Sequence, residues 1–241
     1  RIEQLQIPKK QINEFDLAGS YHDWTRQKRN EELVIVSCFR NISLSRFLRY
    51  WYSLLSQSNQ DWGLVLIDDA SNNGISHFIK ELIKPYQDRV TFIENRFRVG
   101  IAQNTYKAIH YFMENQESVI CIIDADDALI GKNVLKNVFE KYTFFDADVV
   151  IGKMYRTDKL HAHYKYTPNF TNPRLYGGNV WQHIRSFKKY LYDSLGFEDL
   201  KIKNQKQKVD DILLSKRFSH KMVFPEYCSD YSYMVPIIEL S

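Results

Sequence analysis

Short apolar runs recur along this chain, and several lead directly into acids or amides. Residues 33–39, 64–67, 90–93, 119–123 and 148–151 are too short for a helix core and rich in Val and Ile, which suits strands covered on both faces. Between them the period changes. Leu44, Phe47, Leu48, Trp51 and Leu55 recur at helical spacing behind Ser43, a fitting N-cap, and residues 75–84, 101–114 and 131–142 also read as helices. Strands that alternate with helices through short loops predict an α/β fold, a mostly parallel Rossmann-like sheet flanked by helices.

Open sheets of this kind bind ligands where their parallel strands end. Here that edge would gather Ser37, Asp68, Asp69, Asn95, Asp124 and Asp126. The run 119–127 is the most demanding stretch, because five apolar residues give way to Asp124, Asp126 and Asp127 within four positions. Carboxylates this close repel one another, and a hard divalent cation carrying phosphate oxygens relieves the repulsion. A solvated acidic turn ahead of a helix near Asn133 is the plainer alternative, since so short a motif also arises by chance.

Composition narrows the ligand classes. The 33 basic and 29 acidic residues leave a net charge of +4, too even for a nucleic-acid binder yet mildly favourable to anions such as phosphates. Aromatics reach 15%, and such rings stack on sugars or bases as readily as they fill cores. Cys38, Cys121 and Cys228 are odd in number and far apart, which reads as free thiols in a reducing compartment rather than a disulfide frame. No run approaches the roughly 18 apolar residues of a membrane span, and no signal-peptide pattern is visible. The expected location is cytoplasmic, or peripheral at the inner face of a membrane. Residues 1–32 are polar and read as a leader or linker, and a chain beginning at Arg1 is expected to be one piece of a longer polypeptide.

Four segments, in this order, resemble family 2 glycosyltransferases of the GT-A fold. They are residues 34–41, Asp68 to Ser71 (Asp-Asp-x-Ser), the Asn95, Gly100 and Asn104 element, and Asp124 to Asp127 (Asp-Ala-Asp-Asp). The resemblance runs from about Leu33 to the end, as one domain with a nucleotide-sugar half (33–156) and an acceptor half (157–241). It implies an inverting, metal-dependent hexosyl- or N-acetylhexosaminyltransferase of polysaccharide biosynthesis, moving a sugar from a UDP-sugar to a hydroxyl of a glycan or glycolipid. Asp69, with Asp68 beside it, would hold uracil and ribose, and Ser37, Phe39, Arg40, Asn95, Gly100, Asn104, Asp124 and Ala125 would complete the donor site. Asp126 and Asp124 would hold Mn²⁺ or Mg²⁺. The plainer role for one of Asp68 and Asp69 is an Asx-turn or helix cap. The family's Ala-Arg-Asn reads Ala102-Gln103-Asn104 here, so Arg96, Arg98 or Arg40 would have to supply the missing phosphate contact.

Residues 177–189 resemble the part of these enzymes that closes the acceptor side, with Trp181 to stack on a sugar and His183 and Arg185 to reach phosphate or metal. A helix start with one core aromatic is the plainer reading. Inversion also needs a carboxylate to take the acceptor proton. Asp211, in an element like Glu-Asp-x-x-Leu, and Asp230, opening a Ser-Asp helix, both qualify; Asp230 is preferred, because residues 183–189 match the subgroup with that arrangement. A nucleotidyltransferase would normally carry a glycine-rich loop after the first strand, and residues 38–42 hold no glycine. A non-catalytic nucleotide-sugar or glycan-binding module is the remaining alternative.

Overall fold

The computed structural model describes residues 21–23, 28–153, 155, 183–195 and 229–241. Its centre is four parallel strands, β2 (Leu33–Phe39), β3 (Gly63–Asp68), β4 (Val90–Asn95) and β5 (Val119–Ile122). Two strands were not foreseen. β1 (Tyr21–Asp23), within the expected leader, pairs antiparallel with β4, and β7 (Arg185–Lys188) lies antiparallel between β5 and β6 (Val149–Ile151). The spatial order is β1-β4-β3-β2-β5-β7-β6. β7 therefore follows both β5 and β6 in the chain but lies between them in the sheet.

Alternation along the strands creates two cores, one on each face. Leu33, Ile35 and Phe39 point to α1 (Leu44–Leu55), α2 (Ile75–Ile83) and α4 (Val134–Phe145), whereas Val34 and Val36 point to α3 (Ile101–Phe112), α5 (Lys189–Asp193) and α6 (Ser229–Leu240). On α1 the buried stripe is Phe47, Tyr50, Trp51 and Leu54, so of the predicted positions Phe47 and Trp51 are fully buried while Leu44 is exposed, and Ser43 caps the helix by accepting from the Arg46 N–H. Trp51 meets Trp62 and Tyr86 edge-on, so its truncation to Ala would cost about 3–5 kcal/mol.

For the segment that holds β7 a helix start was the plainer of two readings, and residues 185–188 are a strand instead. The strand carries one apolar side chain, Phe187, but Ser186 and Lys188 on either side of it find polar partners. The Ser186 hydroxyl donates to the Val150 carbonyl (2.9 Å) and accepts from Tyr142 (2.8 Å), while Lys188 pairs with Asp146 (2.9 Å). Among the described residues no helix is long and apolar enough to cross a membrane.

Candidate active site

At the C-terminal ends of β2 and β3 the chain ties two loops into one wall. The Phe39 carbonyl accepts from the Asp69 N–H (2.8 Å), Asn41 Oδ1 accepts from the Asn72 N–H (2.8 Å), and the Asn41 N–H donates to Ser71 Oγ (2.8 Å). Adjacent aspartates then divide the work, because they face opposite ways. Asp68, fully buried, accepts from the Ser71 N–H (2.8 Å) and from the Ser76 hydroxyl, the Asx-turn role foreseen for one of the pair. Burial raises its pKa, against the lowering effect of those hydrogen bonds. Asp69 accepts from Asn95 Nδ2 (3.1 Å) and the Val99 N–H (2.8 Å) on Oδ1, and from the Gly100 N–H (3.0 Å) on Oδ2. It thereby fixes the β4–α3 loop, and Asn104 supports Asn95 from behind (2.8 Å).

Asp69 lines a cleft of about 250 Å³, which it shares with Phe39, Arg40, Ile42, Arg98, Gly100 and Ile101 on one side and Asp124 and Asp126 on the other. Cys38 lines it as well. Burial, with Asp69 and Asp124 nearby, pushes its thiol well up and keeps it protonated and unreactive at neutral pH.

The acids after β5 form a second group, and sheet register assembles it. Ile122 pairs with Arg185 and Cys121 with Ser186, so extending the antiparallel ladder by two residues sets Asp124 opposite His183. His183 Nε2 lies 3.0 Å from Asp124 Oδ2 and 3.4 Å from Asp127 Oδ2. A turn closed by the Asp127 N–H on the Asp124 carbonyl (3.0 Å) folds Asp127 back beside Asp124 and sends Asp126 outward to Arg46 (3.2 Å). Arg185, 4% exposed, lies 3.8 Å from Asp124 Oδ1. Its Nη2 is 3.2 Å and 3.0 Å from the two ring nitrogens of His183. An in-plane approach that close to both nitrogens would collide with Cε1, so the guanidinium lies over the ring face. Asp124 sits below the usual carboxylate range: burial pushes it up, but His183 and Arg185 outweigh burial. Asp127 is raised, chiefly by burial, with His183 offsetting part of it.

Ligand atoms of Asp124, Asp127 and His183 all lie within 4.8 Å of one another, a set of two carboxylates and one imidazole that could hold a divalent cation. The expected pair was Asp124 with Asp126. Asp127 carried no separate assignment in the sequence, and Arg46, 80 residues away, gave no signal.

Several other expected residues do not line the cleft. Ser37 shares the face of β2 that carries Phe39 but lies two residues further from the strand end, buried beneath α1, where its hydroxyl meets the Tyr50 hydroxyl (2.6 Å). Ala125 is fully buried in the core, and Asn95 and Asn104 are buried behind Asp69. Asp230 is the second residue of α6, whereas Trp181 and Asp211 lie outside the described residues.

The sequence model of Glycosyl transferase family 2 matches residues 33–206. The putative glycosyltransferase EpsE of Bacillus subtilis is 31% identical over 86 residues, covering 36% of this chain and 30% of EpsE. Glycosyltransferase GlyG of Streptococcus pneumoniae is 26% identical over 113 residues, covering 47% of this chain and 36% of GlyG. The chain thus spans about a third of the length of the curated relatives it matches. Among solved structures, residues 1–349 of S. aureus TarS superimpose with a TM-score of 0.58 at 15% identity, covering 86% of this chain and 55% of that one. TarS in complex with UDP-GlcNAc gives 0.54, also at 15% identity, over 66% and 46%. The likeness to TarS is one of fold, and together with the match across residues 33–206 it shows that this chain is a GT-A protein belonging to glycosyltransferase family 2.

Proposed function

We propose that this domain transfers a sugar from a UDP-sugar to a hydroxyl of a glycan or glycolipid, with inversion at the anomeric carbon, in polysaccharide assembly. The observation that carries this reading is the convergence of Asp69, Arg40, Arg98 and Asp124 on one cleft at the ends of parallel strands, with Asp127 and His183 gathered on Asp124. TarS, which shares the fold, binds UDP and UDP-GlcNAc, and UDP is the nucleotide proposed here.

Three of the roughly four acceptor positions on the Asp69 carboxylate are occupied, two by the loop and one by the Asn95 amide. One remains for the uracil imide or a ribose hydroxyl. Arg40 and Arg98 meet the diphosphate from the cleft wall. Asp124, Asp127 and His183 would hold Mn²⁺ or Mg²⁺, and an imidazole in the set favours Mn²⁺, since Mg²⁺ prefers oxygen ligands. When bound, the cation supplies positive charge to the departing diphosphate. Asp230, with Asp211 as alternative, takes the acceptor proton.

Titration calorimetry with UDP, GDP, CMP and dTDP, in Mn²⁺ and then in EDTA, tests this. UDP binding that is lost on chelation is the expected result. Absence of nucleotide binding under both conditions would reduce the proposal to a statement about fold.

A further inference from the structure

The acidic edge carries its own counter-ions. Arg46 reaches Asp126 from α1 (3.2 Å), and Arg185 lies against Asp124 (3.8 Å) while covering the face of His183. Three carboxylates against two guanidiniums leave one net negative charge where Asp124, Asp126 and Asp127 alone would leave three. A divalent cation is attracted by the sum of these charges, so the two arginines weaken its binding to the bare protein. A nucleoside diphosphate brings phosphate oxygens that restore the missing negative charge and offer the guanidiniums a second partner.

We propose that Arg46 and Arg185 are positioning residues that couple cation and nucleoside diphosphate, so that each binds weakly alone and tightly with the other. This rests on the metal-assisted reading above. The coupling is reciprocal: whatever factor UDP contributes to cation affinity, the cation contributes to UDP affinity. Arg46 is the informative one to change, because its side chain is 58% exposed on a helix surface and its loss leaves the core intact.

The test is Mn²⁺ binding followed by the electron paramagnetic resonance signal of the free ion, without UDP and with saturating UDP. The proteins are wild type, Arg46→Gln and the charge-preserving Arg46→Lys. Arg46→Gln is expected to bind bare Mn²⁺ about three- to fivefold tighter than wild type, the scale of one partly exposed charge pair. UDP should then improve its Mn²⁺ affinity by a smaller factor than in wild type, and Arg46→Lys should resemble wild type in both states. Bare-protein affinity is independent of sugar transfer, so a merely structural role for Arg46 would not raise it. Mn²⁺ binding that is equal or weaker in Arg46→Gln would overturn the coupling role and leave the metal site standing. Failure of wild type to bind Mn²⁺ in either state would overturn both.

Discussion

Neighbouring residues of like chemistry have unlike tasks here, and strand geometry decides which has which. Asp69 faces the cleft and holds two loop N–H groups and the Asn95 side-chain amide, so Asp69→Ala should strand those donors. The expected cost is about 1–3 kcal/mol in urea unfolding, with UDP binding weakened at least about tenfold in calorimetry. Ser37→Ala, buried beneath α1 against Tyr50, should leave UDP binding unchanged. A second residue-scale prediction concerns His110, buried against Tyr106 and Tyr192 and 3.3 Å from Asp193. Burial lowers its pKa from 6.5 to about 4, against the opposing pull of Asp193. The unfolded chain takes up this proton first, so the stability is fully present above pH 6.5 and is lost as pH falls toward 4, by about 3 kcal/mol at most. Urea unfolding at pH 7 and pH 5 should show a smaller drop for His110→Gln than for wild type; equal drops would dismiss the assignment. Sequence pointed to Asp69, Asp124 and Asp126 and gave Asp127 no role, because the placement of Asp127 beside His183 and of Asp126 toward Arg46 depends on one turn and on an arginine 80 positions away.

At the scale of elements, the four parallel strands and the helices between them were legible because each buries a face with its own period, two for strands and about 3.6 for helices. β7 was not, since its fitness for the sheet lies in partners supplied from elsewhere: Tyr142, Val150, Asp146 and the acids after β5. The β4–α3 connection shows what an element boundary must satisfy. Gly100 sits at φ 89, ψ 159, a region that only glycine enters readily, while its N–H is spent on Asp69. An added Cβ would meet nothing within 4 Å, so the obstacle to substitution is conformational rather than steric. Gly100→Ala should therefore lower stability by about 1–3 kcal/mol by chemical denaturation and weaken UDP binding through the displaced loop. Unchanged stability and affinity would mean that the loop tolerates another conformation without losing the Asp69 contacts.

Across the whole molecule the parallel strands deliver an acidic edge from one part of the sequence, and β7 and α6 return later in the chain to pack against them. His183 reaches Asp124 only because β7 is built into the sheet beside β5. Asp230 opens α6, whose Tyr233, Met234 and Val235 bury in the same core as Phe187 of β7. On the proposed reading, donor binding and proton removal would be served by elements that share packing but have separable chemistry. Asp124→Asn removes one of the carboxylates gathered on His183, so cation-dependent UDP binding and sugar transfer should fall together. Asp230→Asn keeps the helix and its size but cannot accept a proton; transfer should drop by about 10²–10⁴-fold while UDP affinity stays within twofold of wild type. Measuring both quantities on both variants separates the roles. Should Asp230→Asn retain full transfer, the proton must go to another carboxylate, and Asp211→Asn would then be expected to show the loss.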